Sequence, residues 1–130
     1  MISNAANLCQ ILGLHRLARD SHETQVNLFW MVFLLEKGLS LRLGRPSILR
    51  DDEITSPRPS VPSIRRCSQT SSIQGKIYDQ LYSPSGLART NVERGRLAHA
   101  LASELREIIN ENKAEFQVRL LTHDMHALRY

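Results

Sequence analysis

A chain of 130 residues has the length of one domain, and its 42% apolar content permits a core without making it generous. Seventeen basic against thirteen acidic residues give a net charge of +4 spread along the chain, the balance of a solvated surface rather than of a clustered nucleic-acid footprint. Two cysteines, Cys9 and Cys67, in no Cys-x-x-Cys spacing, argue against a disulfide framework or a structural zinc site and fit a reducing compartment.

Met1-Ile2-Ser3-Asn4 has no basic n-region and no hydrophobic block after it, so no signal peptide is expected. Residues 4–18 carry Ala5, Leu8, Cys9, Ile11 and Leu12 at helical spacing, with Ser3 or Asn4 as N-cap and Cys9 as a small core residue. A polar joint over 19–27 leads to a second helix, His22 to Leu43, with Ser21 as N-cap and Glu23 favourably placed on the dipole. Its front, Leu28 to Leu35, is apolar without a break, so it should be buried on all sides, yet it is too short for a bilayer. Beyond it, Leu35, Leu39 and Leu43 form an inward stripe with Lys37 and Arg42 outside. Gly44 suits the left-handed C′ position and Pro46 stops the helix. Gly38 suggests close approach by another helix.

Ser47 to Ile54 reads as an ordered loop anchored by Ile48, Leu49 and Ile54, with Asp51, Asp52 and Glu53 facing water or the cations Arg45 and Arg50. From Ser56 to Ser72, prolines and serines alternate with Arg58, Arg65 and Arg66, the composition of a mobile loop. A third helix, 72–82, carries Ile73, Ile77 and Leu81 with Tyr78 beside them, and ends at Ser83-Pro84-Ser85-Gly86. Thr90-Asn91-Val92-Glu93 is a capping box that opens a fourth helix striped by Leu97, Leu101, Leu105 and Ile108, expected to pack on the second. The pattern loosens from Lys113, and His123 to Tyr130 should be poorly ordered. The fold class is all-α, an irregular bundle of about four helices over residues 1–112 with a tail over 113–130.

Chemistry-bearing motifs are few. His123 and His126 flank Asp124 at a spacing that can share a metal, but no third ligand is evident. His15, His22 and His99 have no nucleophile in a recognisable pattern, and no Gly-x-Ser-x-Gly elbow exists. Gly44-Arg45-Pro46-Ser47 lacks the glycine spacing and Gly-Lys-Ser/Thr ending of a phosphate loop. Asp51-Asp52-Glu53 fits no calcium-loop spacing. Arg42, Arg45, Arg50, Arg58, Arg65 and Arg66 fall in one third of the chain, without the aromatic or recognition-helix context that reads bases.

Three ordered blocks resemble the fungal-specific transcription factor domain, the helical regulatory or middle homology region that follows a six-cysteine zinc cluster in many fungal regulators and includes the xylanolytic activator type. The blocks are Ala6-Asn7-Leu8-Cys9-Gln10-Ile11-Leu12-Gly13-Leu14-His15-Arg16, then Leu28-Phe29-Trp30 through Gly44-Arg45-Pro46-Ser47 to Asp51 and Glu53-Ile54, then Ile77-Tyr78-Asp79-Gln80-Leu81-Tyr82-Ser83. The residues carrying the likeness are Phe29, Trp30, Ser40, Gly44, Arg45, Pro46, Ser47, Asp51 and Glu53, with a structural role and no catalytic, cofactor or metal role implied. Gln25, Val26 and Asn27 stand where the family usually has arginine, Glu36 where it often has Asp, and Asp52 where it often has an aromatic.

The resemblance implies the middle slice of a larger all-α regulatory domain, acting in transcription in the nucleus. DNA contact and zinc would belong to a cluster outside this chain, and partners would be proteins, itself or other regulators, with no membrane. Exposed apolar faces are then expected, and with them instability or association. A free-standing helical module that pairs with full-length regulators is the alternative. An enzyme or small-molecule receptor would rest only on a pocket between helices.

Overall fold

The computed structural model describes the backbone of residues 1–127 and the side chains of residues 1–113. Among these residues there are helices and no strand: α1 (Ile2–Ile11), α2 (Glu23–Arg42), α3 (Pro62–Ile77), α4 (Pro84–Leu87) and α5 (Asn91–Ala127). Short 3₁₀ turns lie at Leu14–Arg16 and Asp51–Glu53, and a π-helical turn at Tyr78–Tyr82 follows α3 directly. The all-α class read from the sequence is the class found.

α1 begins at Ile2 with Met1 as its cap, so Ser3 and Asn4 lie in the first turn rather than before it. Its buried residues are Ala6 and Cys9, whose small side chains let α1 settle on α2, while Leu8, Ile11 and Leu12 of the expected stripe are exposed. Burial pushes the Cys9 thiol above its ordinary pKa, because the charged thiolate loses solvation. Gly13 ends the helix at φ 72°, and the chain turns into the 3₁₀ segment.

His22, not Ser21, caps α2, its Nδ1 accepting from the Thr24 amide at 3.4 Å. Phe29, Trp30 and Phe33 form the centre of the core, their ring centroids 5.0–6.4 Å apart, with the Trp30 pairs edge-to-face. Val26, Leu49, Ala6 and Cys9 complete the cluster, and Ile48 and Ile54 pack against it as expected. The apolar run is not buried on all sides, however: Leu28, Met31 and Leu35 are exposed. The C-terminal stripe is inverted as well. Leu35, Leu39 and Leu43 face outward, while Lys37 is only 5% exposed and Glu36 is fully buried.

α2 ends as the sequence indicates. Gly44, at φ 65°, donates to the Leu41 carbonyl at 3.1 Å and Arg45 donates to the Ser40 carbonyl at 3.0 Å, the paired bonds of a Schellman stop. The chain then doubles back. Ser60 meets Glu23 near the start of α2, and Gly75 lies against Lys37 farther along, so α2 and α3 run side by side in the same direction.

The third helix begins at Pro62 instead of Ser72, taking in most of the segment expected as loop. Pro62 sits in the first turn, where a missing N–H costs nothing. The face of α3 that is buried holds Ser68 and Ser71 beside Ile73, so no leucine stripe marks it. Ser68 donates its hydroxyl to the Arg65 carbonyl at 2.7 Å, which satisfies it within the helix. At Gly38 the close approach expected from the sequence is not what requires glycine, since a Cβ there would meet Gln74 Oε1 at an ordinary 3.5 Å; the tighter site is Gly75 of α3, against Lys37.

The α3 register ends where Ser83 donates its amide to the Tyr78 carbonyl at 2.8 Å. Ser83 Oγ then accepts from the Gly86 amide and caps α4. The Thr90 hydroxyl accepts from the Glu93 amide at 3.2 Å, opening α5 as its capping box indicates. Leu101 of α5 is buried and Leu97, Leu105 and Ile108 are half-buried, but the helix packs on α3, not on α2. It also runs unbroken through Lys113 to Ala127, where a loosening tail was expected; residues 128–130 lie outside the described residues.

Candidate functional site

The feature that organises the molecule is a strap, residues 46–61, which returns along α2 and is held on both sides. Glu36 is its first anchor. The carboxylate accepts from Ser40 Oγ at 2.6 Å, Ser47 Oγ at 2.5 Å and the Ile48 amide at 3.0 Å. Three donors are what a buried carboxylate needs to replace its lost water. One donor comes from its own helix and two from the strap, so the charge joins two elements that the Gly44–Pro46 turn brings together.

Lys37 is the second anchor. Its ammonium lies 2.8 Å from Asp51 Oδ1, 5.3 Å from the Phe33 ring centroid, and against Gly75 of α3, where an added Cβ would come within 3.1 Å. The lysine stem thus fills the space between α2, α3 and the strap while its charge is answered at the strap's edge. Trp30 is the third anchor, its indole N–H donating to the Pro57 carbonyl at 2.7 Å and its ring carrying the Arg58 guanidinium at 4.9 Å.

The other side of the strap is held by the end of α1. Gln10 donates to the Ile48 carbonyl at 3.2 Å. Ser56 Oγ donates to the Leu14 carbonyl at 2.6 Å and accepts from the Leu17 amide at 2.8 Å, and the His15 carbonyl accepts from the amides of Thr55 and Ser56. The Leu12–Arg16 block therefore serves as a backbone dock for residues 55 and 56, which requires Gly13 to turn α1 away at the right place.

Of the residues singled out in the sequence, Phe29 and Trp30 lie in the core, Ser40 and Ser47 hold Glu36, Gly44 and Pro46 make the turn, and Asp51 holds Lys37. Arg45 reaches back to Ser3 Oγ at 2.9 Å rather than to the acidic trio. Asp52 pairs with Arg50 at 3.4 Å as expected, and Glu53 is exposed in the 3₁₀ turn. Sequence reasoning missed Glu36, Lys37, Gln10 and Ser56 as anchors. A detectable signal existed for the first: Glu36 and Ser40 are four apart on one helix face, and Ser47 follows the turn that brings the chain back.

The six arginines do not gather at one site: Arg42 and Arg66 line one groove, and the other four lie elsewhere. Arg45, Arg50, Arg58 and Arg65 each engage a separate partner, Arg65 through the Pro59 carbonyl at 3.2 Å. Cys9 and Cys67 sit apart, one buried in α1 and one exposed on α3, and do not suit a zinc cluster. Among the described residues no three His, Cys, Asp or Glu side chains come together to hold a metal. The side chains of His123, Asp124 and His126 lie outside the described residues. No described helix is long and apolar enough to cross a membrane.

Residues 1–109 match the fungal specific transcription factor domain, and the chain belongs to that family. It is similar to the ABC-transporter-regulating transcription factor of Aspergillus oryzae (27% identical, covering 82% of this chain and 15% of that protein) and to that of Aspergillus fumigatus (26%, with the same coverages). The chain thus spans only 15% of the length of these relatives. No solved structure matches it.

Proposed function

We propose that this chain is part of the regulatory domain of a fungal zinc-cluster transcription factor, acting in transcription by RNA polymerase II in the nucleus. Its extent is residues 1–112, and it carries no catalytic activity or cofactor of its own. The observation that carries the reading is the strap: the first two family blocks meet across it in one hydrogen-bonded assembly, in which Glu36, Trp30, Gln10 and Leu14 hold residues 47–57. DNA contact then falls to a zinc cluster outside this chain, and this part contributes folding, intramolecular control and contact with other proteins. Leu8, Ile11 and Leu12 on α1 and Leu28 and Met31 on α2 are the exposed apolar residues available for such contact.

The test is a fusion of the 130-residue chain to an unrelated DNA-binding domain on a reporter, beside a mobility-shift assay of the chain alone. Altered reporter output with no shift supports the reading. A salt-dependent shift by the chain alone, or a fusion equal to the bare DNA-binding domain, contradicts it. The exposed leucines also favour the alternative, a free-standing module that pairs with full-length regulators. Co-purification of the separate chain with such a regulator distinguishes it.

A further inference from the structure

On the side of α2 away from the strap, α2 and α3 line an open groove of about 850 Å³, which Ile2 of α1 and Asn112 of α5 also line. That volume lies in the range of small-molecule sites, about 300–1,000 Å³. Leu34, Leu35 and Leu39 give it an apolar floor. Arg42 lines it one turn beyond Leu39 and makes no hydrogen bond or ion pair among the described residues. Arg66 lines it too but already has a partner. No acidic side chain lines it among the described residues.

A floor of leucines ending at a guanidinium that has no partner among the described residues is complementary to a ligand with one long apolar part and one negative charge. A planar carboxylate matches the fork of the Arg42 guanidinium, and the charge of Arg66 on the same groove adds to the attraction. From Leu34 to Arg42 the helix advances about 12 Å, the reach of a medium-length acyl chain. We infer that the groove is a binding site for an amphiphilic carboxylate, its acyl chain on Leu34, Leu35 and Leu39 and its head group on Arg42. The inference goes beyond the regulatory reading, and either can fail alone because its test is direct binding.

The chain carries its own reporter. Cys67 is exposed on the groove wall, while Cys9 is buried in the core. Maleimide alkylation of the whole 130-residue chain, mapped by peptide mass, reads the two thiols separately. Dodecanoate, below its micelle-forming concentration, slows alkylation of Cys67 in a saturable way, while methyl dodecanoate and dodecylamine act more weakly. Arg42→Gln weakens dodecanoate binding about fivefold and leaves the ester unchanged, the size expected for a rim charge. Circular dichroism confirms that the variant folds, and Arg42→Lys restores part of the loss. Equal protection by all three amphiphiles, or protection untouched by Arg42→Gln, overturns the inference. So does protection by an acidic amphipathic peptide with none by dodecanoate, or Cys9 becoming reactive when dodecanoate is added.

Discussion

In the C-terminal half of α2 the two faces reverse the usual rule of burial. The face toward the strap buries Glu36, Lys37 and Ser40, and the face toward the groove exposes Leu35 and Leu39. Hydrophobicity alone ranks these residues the other way round. What decides is satisfaction: Glu36 and Lys37 find partners on the returning chain and Ser40 finds one in Glu36, whereas the leucines face an open groove. A polar residue buried this way specifies which segment lies beside it, and a leucine does not. The strap is thereby fixed in register by named hydrogen bonds rather than by general apolar contact.

Substitutions on the two faces should therefore differ sharply. Glu36→Ala leaves the Ser40 hydroxyl and the Ile48 amide without their acceptor and the Ser47 hydroxyl with only the Leu49 carbonyl. Its expected cost is about 3–5 kcal/mol, the range for breaking a buried charged network, seen as a lowered urea midpoint or loss of cooperative unfolding. Trp30→Phe keeps the core ring but removes the bond to Pro57 and weakens the Arg58 contact, with an expected loss of about 1–2 kcal/mol by the same titration. Gly44→Ala, at the turn that joins the two faces, meets open space but a left-handed backbone. It should cost about 1–2 kcal/mol from conformation alone, and Gly44→Asn should cost less. On the groove face, Leu35→Ser and Leu39→Ser should each change stability by no more than about 0.5 kcal/mol, while lowering any concentration-dependent association in sedimentation. A large loss from the leucines and a small one from Glu36 would reverse the comparison.

The parts legible in the sequence are those governed by short-range chemistry. The Gly44 stop, the Thr90 cap and the aromatic centre at Phe29, Trp30 and Phe33 follow from local spacing and are found as expected. What escaped depends on which segment comes back beside which. A leucine stripe on a helix shows that the helix is amphipathic but not which face finds a cover, and α2 is covered on the other one. Residues 62–71 read as loop because their buried face is serine, and serines mark a core only when a neighbouring helix is close enough to need small residues. The family blocks pointed to Ser40, Ser47 and Asp51, and their shared purpose became visible only through Glu36 and Lys37, the residues they hold.

The most direct test is amide hydrogen exchange on the intact chain, read residue by residue at 48 and across 62–77. If the strap is anchored and α3 begins at Pro62, the Ile48 amide and the amides from Arg65 onward exchange as slowly as those of α2 around Phe33. Fast exchange through 48–72 beside a protected α2 would contradict the account and restore a mobile loop between two separate helices.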